Sequence, residues 1–243
     1  MARGIARPMA SPAVQKALQE LREGRTVLVY DADGREEETD MVIASEKVTP
    51  EAIRLLRKDA GGLICTTADV AIQKALGLPF LTEVFLGMGE TYPVMKELIP
   101  NDIPYDVKSA FGITINHRKT FTGITDNDRA LTVSEFASLA KRALNSEDGW
   151  AKREFGKNFR APGHIHLLNT SERILETRFG HTELATALMI MAGMVPSATV
   201  CEMMGDDGRA LSKARAIDYA RKHGLTFLEG ADVVQAWREP RSG

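Results

Sequence analysis

Apolar residues recur with two different periods along this chain, and both periods occur from one end to the other. Helical spacing, with capping residues before it, predicts helices over residues 12–23, 50–60, 70–76, 133–144, 183–191 and 214–222. Short apolar runs between turn residues predict strands over residues 26–30, 41–44, 63–66, 111–115, 163–168, 198–202 and 226–228. Helices and strands mix without strict alternation, linker or internal repeat. The pattern therefore predicts an α+β fold in one domain, residues 1–243, with helices on the faces of a mixed, twisted sheet.

Four segments lack this periodicity. Residues 1–10 predict a loose N-terminal arm, and residues 122–129 predict a polar, turn-rich connection. Residues 77–110 are rich in proline and glycine and predict mostly irregular structure. Residues 145–160 are charged and predict an exposed excursion.

The densest polar stretch, residues 30–40, lies between the first two predicted strands. It contains six carboxylates and one arginine, and Asp33-Gly34 within it is a turn signal. Carboxylates crowded on a loop that is held at both ends repel one another, unless a cation or a functional need offsets the repulsion. Mg²⁺ commonly binds one or two carboxylates together with substrate oxygens and water. The stretch therefore predicts either a metal-binding loop or the solvated tip of a hairpin.

Composition and charge argue against several classes of function. The net charge of −2, with no basic patch among aromatic residues, predicts no nucleic acid and no anionic membrane as partner. No apolar run in the sequence is long enough to span a bilayer, and the first residues have no apolar signal-peptide core. Cys65 and Cys201 both lie in apolar runs. They indicate free thiols in a reducing compartment, and hence a cytoplasmic protein.

A second concentration of polar residues precedes the predicted helix 183–191. Gly180 stands close to Thr182, the expected N-cap, so backbone N–H groups are exposed at a helix start that suits an anion. Arg178 is placed to add a bidentate grip on phosphate. His181 is a metal ligand, a base, or a histidine that only caps or packs.

Other polar residues stand at predicted turns and strand ends. Thr122 and Thr125 offer hydroxyl and backbone N–H groups to a phosphate. His164 begins one predicted strand and Glu202 ends another, and each is either a site residue or a structural one. Cys65 is either a small buried residue or a site thiol.

The sequence contains no P-loop, Gly-rich dinucleotide fingerprint, HExxH, CxxC or GxSxG motif. This absence weakens the case for a P-loop enzyme, a classical dehydrogenase, a zinc peptidase or a serine hydrolase. What remains is an acidic loop for a divalent cation, together with arginine, histidine and threonine side chains for a phosphorylated ligand.

Six motifs, taken in order, resemble the 3,4-dihydroxy-2-butanone 4-phosphate synthase family of riboflavin biosynthesis. They are DADGREEETD (31–40), DAGGLIC (59–65), TGITDNDR (122–129), RAPGH (160–164), RFGHTE (178–183) and CEMMGDDG (201–208). Together they cover most of the chain from residue 14 to residue 228. The resemblance implies a three-layer fold like that of YrdC, a homodimer with active sites at its interface, and two Mg²⁺ or Mn²⁺ ions per site. It also implies ribulose 5-phosphate as substrate, and formate and a four-carbon ketone phosphate as products.

The resemblance also implies roles for individual residues. The expected metal ligands, which also contact the substrate, are Glu36 and His181. The residues expected to hold the phosphate, at the helix start and on a separate turn, are Arg178, Gly180, Thr182, Thr122 and Thr125. Those expected to orient the sugar hydroxyls are Arg35 and Asp40. The candidates for proton transfer are Asp31, Glu38, His164 and Glu202.

This sequence departs from the family pattern at a few positions. Many members carry a small or amide residue where Glu37 stands, and glycine or alanine where Thr39 stands. Two other interpretations of the site stay open. One is another metal-dependent sugar-phosphate enzyme, such as an isomerase or aldolase, which would release no formate. The other is a non-catalytic binding module, since fold alone does not fix function.

Overall fold

The computed structural model describes residues 10–100, 102–146 and 149–239, so nearly all of the predicted N-terminal arm lies outside the described residues. Its strands are β1 (Val27–Tyr30), β2 (Thr39–Ala44), β3 (Cys65–Ala68), β4 (Phe111–His117), β5 (Phe159–Asn169), β6 (Ala198–Glu202) and β7 (Phe227–Glu229). They form a seven-stranded sheet in the order β4-β5-β3-β6-β2-β1-β7. Two pairs, β1 with β7 and β3 with β5, are parallel, and the others are antiparallel. The predicted mixed sheet is confirmed.

Helices cover both faces of this sheet. They are α1 (Pro12–Arg22), α2 (Pro50–Leu55), α3 (Val70–Leu76), α4 (Leu81–Met88), α5 (Val94–Glu97), α6 (Asp126–Ala143), α7 (Trp150–Asn158), α8 (His181–Met191), α9 (Lys213–His223) and α10 (Gly230–Arg238). A π-helical turn, Leu56–Ala60, extends α2. Within the described ranges no single helix is long and apolar enough to cross a bilayer; only the bent pair of α3 and α4 passes on length and composition together.

Alternation along the strands creates two cores. On β2, Met41 and Ile43 join the core beneath α2, α3, α6, α7 and α9, whereas Val42 and Ala44 join the core beneath α1, α8 and α10. Every residue of β2 is buried, as expected for a strand covered on both faces. The predicted α+β class with helices on the two faces is therefore confirmed, and the architecture has three layers.

Local start and stop signals account for the helices that were predicted well. The side chains of Ser11 and Asp69 accept hydrogen bonds from the first turns of α1 and α3. Gly61 and Gly224 adopt left-handed conformations just after the π-helical turn and α9. Each of these signals depends on the chemistry of one residue, so the sequence alone was enough to predict these helix ends.

Several elements were missed by the predictions. Residues 77–110 are mostly irregular, as predicted, but also contain α4 and α5; residues 145–160 contain α7 and the first two residues of β5; and α10 was not predicted. Helix α6 begins at Asp126 within the predicted turn, because Thr125 caps it. Helix α4 buries none of its residues and α7 buries only Ala151, with Trp150 and Phe155 partly buried against the core, so the apolar signal of each helix is weak.

Gly163 is the point where β4 and β5 approach most closely. A Cβ atom at Gly163 would lie 1.9 Å from the carbonyl carbon of Ile115, and backbone cannot rotate away as a side chain can. We expect Gly163→Ala to reduce the free energy of unfolding by about 3 kcal/mol, at the upper end of overpacking costs. Urea denaturation measures the change.

Gly156→Ala is the matched control. No described atom outside its own helix lies within 4 Å of a Cβ at Gly156 on α7. This substitution should raise stability by up to about 1 kcal/mol, because alanine favours a helix over glycine. Equal effects of the two substitutions would contradict the close approach of β4 and β5.

Candidate functional site

Many predicted site residues meet at one end of the sheet, where α8 begins. Asp40 on β2 lies opposite Glu202 on β6. Since side chains alternate along a strand, both point to the face that α1, α8 and α10 cover. A cavity of about 180 Å³ opens there. The predicted residues that line it are Glu36, Glu38, Asp40, Arg178, His181, Thr182 and Glu202.

The acidic loop between β1 and β2 is folded around the carboxylate of Asp31. Its Oδ2 accepts from the backbone N–H of Glu36 at 3.0 Å and from Arg35 Nη1 at 3.1 Å. Its Oδ1 accepts from the backbone N–H of Glu38 at 3.2 Å. The Asp31 side chain is fully buried. These bonds turn Glu36 and Glu38 into the cavity, whereas Ala32, Asp33, Gly34 and Glu37 are exposed like the solvated tip of a hairpin.

His181 lies between the acidic loop and β2. Its Nδ1 is 3.0 Å from Glu36 Oε2, and its Nε2 is 3.2 Å from the backbone oxygen of Glu38. Burial lowers the pKa of His181, but the Asp40 carboxylate and the Glu36 hydrogen bond outweigh burial and raise the pKa to about 9. Burial likewise opposes ionisation of Glu36, yet His181 and Arg35 lower its pKa to about 2. The histidine therefore forms a charged pair with Glu36 and does not merely pack.

Two carboxyl groups beside this pair favour the protonated form. Burial raises the pKa of Asp40 to about 8, against the attraction of His181. Burial and the neighbouring Glu36 and Glu202 carboxylates raise the pKa of Glu38. Asp40 Oδ1 has no hydrogen-bond partner among the described residues and lies 3.6 Å from His181 Nε2. The cavity thus contains groups that can hold or release a proton near neutral pH.

The donor atoms at this point fit a divalent cation. Asp31, Glu36 and His181 offer ligand atoms that all lie within 4.8 Å of one another. Neighbouring ligands at about 2.1 Å from an octahedral Mg²⁺ lie about 3.0 Å apart. Glu36 Oε2 and His181 Nδ1 are separated by 3.0 Å. Because Asp31 is already bound to its own loop, Glu36 and His181 are the better pair of protein ligands, with Asp40 Oδ1 nearby.

Glu202 is fixed by the turn that leads into β3. Its Oε2 accepts from the backbone N–H of Leu63 at 2.7 Å. A Cβ at Gly62 would lie 2.4 Å from the same oxygen, so glycine makes room for the carboxylate. Cys65 is buried and also lines the cavity. It is therefore both the small buried residue and the thiol at the site that the sequence offered as alternatives. Burial raises the pKa of its thiol well above the usual value, which keeps it protonated.

The start of α8 forms the cationic end of the cavity. The prediction that Thr182 caps this helix was wrong: the N-cap is Gly180, and among the described residues no side chain caps the helix. A Cβ at Gly180 would lie 2.6 Å from Arg35 Nη2 and 2.9 Å from Arg178 Nη1. Glycine therefore lets both guanidinium groups reach the helix start, and this combination favours an anion.

Asp106 stands between these two arginines, and no pattern in the sequence predicted it. It belongs to the segment 102–110 that was predicted to be irregular, and this segment forms one wall of the cavity. Asp106 Oδ2 accepts from Arg35 Nη2 at 3.0 Å and from Arg178 Nε. Glu183, in the first turn of α8, is buried and ion-paired with Arg178.

Three predicted residues lie elsewhere, at the β4–β5 edge of the sheet. Thr122, Thr125 and His164 are not among the described residues that line the cavity. Thr122 and His164 both contact Asn116, which sequence reasoning missed: its Oδ1 accepts from His164 N at 2.8 Å, and its Nδ2 donates to Thr122 O at 3.3 Å. Thr125 Oγ1 accepts from Asp128 N at 3.1 Å as the cap of α6. The chain therefore presents its predicted site residues in two separate groups.

Comparisons with known proteins agree on one family. The family model described as 3,4-dihydroxy-2-butanone 4-phosphate synthase matches residues 15–236. The chain is 49% identical over 230 residues to the 3,4-dihydroxy-2-butanone 4-phosphate synthase of Methanothermobacter thermautotrophicus, covering 94% of this chain and 97% of that protein.

Solved structures of this name have the same fold. The Candida albicans synthase is 26% identical with a TM-score of 0.69, and the match covers 94% of this chain and 98% of that one. A 3,4-dihydroxy-2-butanone 4-phosphate synthase in complex with two magnesium ions is 27% identical with a TM-score of 0.68. That match covers 91% of this chain and 94% of the other.

The Glu36–His181 pair predicts a pH dependence of stability in the absence of metal. The pKa of His181 in the folded chain, about 9, lies above the ordinary histidine value of 6.5, so its contribution to stability is complete below pH 6.5 and is lost toward pH 9. With a chelator present, wild type should lose on the order of 2 kcal/mol of unfolding free energy over this range relative to His181→Gln. Urea denaturation at several pH values measures the difference.

His223→Gln, on the exposed end of α9, is the control and should follow the wild-type profile. The contribution of Glu36 to stability has the opposite pH dependence. Its pKa in the folded chain, about 2, lies below the ordinary value of 4.5, so this contribution is present above pH 4.5 and is lost as the pH falls. A wild-type profile that His181→Gln leaves unchanged would show that the pair is not charged.

Proposed function

The chain belongs to the 3,4-dihydroxy-2-butanone 4-phosphate synthase family, and from this premise we propose that it converts D-ribulose 5-phosphate into L-3,4-dihydroxy-2-butanone 4-phosphate and formate. The family activity is formation of the butanone phosphate for riboflavin biosynthesis. The observation that carries the proposal for this chain is one cavity that joins the Glu36–His181 pair to the cationic start of α8. A sugar phosphate that binds a metal ion requires a cation site and an anion site in the same cavity.

The substrate is held at two ends in this proposal. Its phosphate binds at the helix start, through Arg178, Thr182 and the backbone at Gly180. Its hydroxyl groups contact Arg35, which pairs with Glu36 of the acidic loop, and Asp40 on β2. Holding both ends brings the reacting carbons next to the carboxyl groups, which lowers the entropic part of the barrier.

The reaction begins with enolisation, followed by loss of the C1 hydroxyl, a skeletal rearrangement and release of C4 as formate. A bound divalent cation supplies stabilisation of the negative charge that develops on substrate oxygen. The protein must remove and return protons, and the pKa of Asp40, about 8, suits it to exchange protons near neutral pH, while the raised pKa of Glu38 makes it a better proton acceptor than an ordinary glutamate. Glu202, His164 and Asp31 are the other proposed acid–base residues.

We propose Mg²⁺ as the cation, with Mn²⁺ as an alternative and two ions per site. Glu36 and His181 are the protein ligands, supported by their 3.0 Å separation. A relative of similar fold is known with two magnesium ions. Carboxylate, imidazole and substrate oxygens together form a donor set that either metal accepts.

We also propose that the enzyme is a homodimer with active sites at its interface. Thr122, Thr125 and His164 lie apart from the cavity in one chain, so a second chain is needed to bring an equivalent group to it. The same edge exposes Phe121 to 93% and Ile124 to 51%, and large apolar side chains are exposed this far mainly where another surface covers them. In the proposed dimer each site combines residues from both chains.

The remaining proposals concern organisation and location. One continuous sheet runs from β4 to β7, which supports a single catalytic domain. Both cysteines are free and buried, which supports a reducing, cytoplasmic location. The net charge of −2 supports a small-molecule substrate and no nucleic-acid or membrane partner.

A formate assay tests the reaction. Purified protein with ribulose 5-phosphate and Mg²⁺ should release formate and the four-carbon ketone phosphate in equal amounts, and EDTA should stop both. Substrate loss without formate would favour an isomerase or aldolase. An unchanged substrate with folded, metal-loaded protein would favour a binding module.

Glu36→Gln should reduce turnover in this assay by at least a thousandfold, roughly the effect of losing a key transition-state contact. It should also weaken Mn²⁺ binding measured by calorimetry. Glu37→Gln is the matched control on the same loop, since Glu37 is exposed and only accepts from the backbone N–H of Gly34. Activity of Glu36→Gln near that of the control would remove Glu36 from the site.

Complementation between two inactive variants tests the shared site. Glu36→Gln and His164→Ala change different groups, so a mixed dimer has one site with both defects and one intact site. Random pairing of equal amounts should restore about a quarter of wild-type activity. Size-exclusion chromatography measures whether the protein is a dimer. If mixing the two variants restores no activity, each site takes both groups of residues from one chain.

A further inference from the structure

Asp106 occupies the place between the two arginines of the cavity. Its Oδ2 accepts from Arg35 Nη2 at 3.0 Å and from Arg178 Nε, and its side chain is only 7% exposed. A buried carboxylate that accepts from two guanidinium groups forms strong, charge-assisted hydrogen bonds. The contact is thus a defined part of the structure and not a passing surface contact.

The position of this carboxylate coincides with the start of α8, next to Gly180 and Thr182. A helix start flanked by two arginines is a site for an anion, and here the anion is a side chain of the same chain. A phosphate dianion placed beside an ionised Asp106 would be repelled at close range. Asp106 and a phosphate therefore compete for the same arginines.

The arginines do not depend on Asp106 for their positions. Arg178 also pairs with the buried Glu183, and Arg35 also pairs with Asp31 at 3.1 Å and Glu36 at 2.9 Å. Both guanidinium groups therefore keep a fixed partner when Asp106 leaves. Only the negative charge of Asp106 then leaves the two arginines.

The segment that carries Asp106 is suited to move. Residues 102–110 contain no helix or strand in the structure, and Val107, the next residue, is 95% exposed. The Tyr105 ring lies 5.5 Å from the Arg35 guanidinium and is also partly exposed. Apart from Asp106 the segment buries little, since Tyr105, Val107 and Lys108 are exposed, so the arginine contacts are the main interactions that a competing anion has to replace.

We propose that Asp106 determines specificity for a phosphorylated substrate by filling the arginine pair until a phosphate replaces it. This inference rests on the proposed function, which places the phosphate at Arg178. A neutral sugar cannot replace the two charge-assisted hydrogen bonds of Asp106, whereas a phosphate dianion can. Only a phosphorylated ligand then opens the segment 102–110 and completes its own site.

The first test measures inorganic phosphate binding by calorimetry, without turnover. Asp106→Asn keeps the shape of the side chain and removes its charge. It should bind phosphate roughly tenfold more tightly than wild type, since it removes the competing charged hydrogen bonds. Asp102→Asn, in the same segment but exposed, should bind as wild type does. Unchanged or weaker binding by Asp106→Asn, or no phosphate binding by any of these proteins, would overturn the proposal.

A second test is hydrogen exchange of the wild-type protein, which does not require that the variant fold. Saturating phosphate should increase exchange at residues 103–109 and decrease it at the start of α8. A residue that only stabilises the arginines would instead give slower exchange throughout the cavity, and that result would overturn the proposal. Neither test uses catalysis. If phosphate changes hydrogen exchange as expected but the formate assay fails, the proposed reaction is rejected and the role of Asp106 stands.

Discussion

The carboxylate of Asp31 organises the acidic loop, and the rest of the cavity depends on that loop. One buried side chain accepts from two backbone N–H groups and one guanidinium group, within a stretch whose like charges would otherwise spread apart. These hydrogen bonds determine the shape of the loop. His181 can form its charged pair only because Glu36 is held in this way, and Glu38 faces the cavity for the same reason.

The sheet contributes the second constraint. Its register places Asp40 next to Glu202, and side-chain alternation sends both to the face where α8 begins. The π-helical turn and Gly62 then leave space for Glu202 to accept from the backbone of Leu63. Strands thus fix the carboxyl groups of Asp40 and Glu202, whereas loops carry the two arginines. This arrangement combines rigid acid–base groups with an anion site whose wall is the segment 102–110.

The sequence was sufficient for elements whose signals are local. Ser11 and Asp69 cap their helices by their own chemistry, and the runs that became β2 and β6 are apolar because both faces are covered. Helices α4 and α7 escaped detection because they bury too little to show an apolar stripe. Within the site, motifs indicated Glu36 and His181. Asp106 could not be found in this way, because its role comes only from the two arginines that the fold brings to it.

The parts of the cavity are far apart in the chain. Asp40 and Glu202 are neighbours in the sheet, yet β6 enters it between β3 and β2, long after both have been synthesised. Contacts of such long range form late in folding, after the entropy of closing large loops has been overcome. Until then the acidic loop has neither His181 nor the start of α8 beside it. The proposed cation site therefore exists only in the complete sheet, so a metal ion bound there would report that the chain has finished folding.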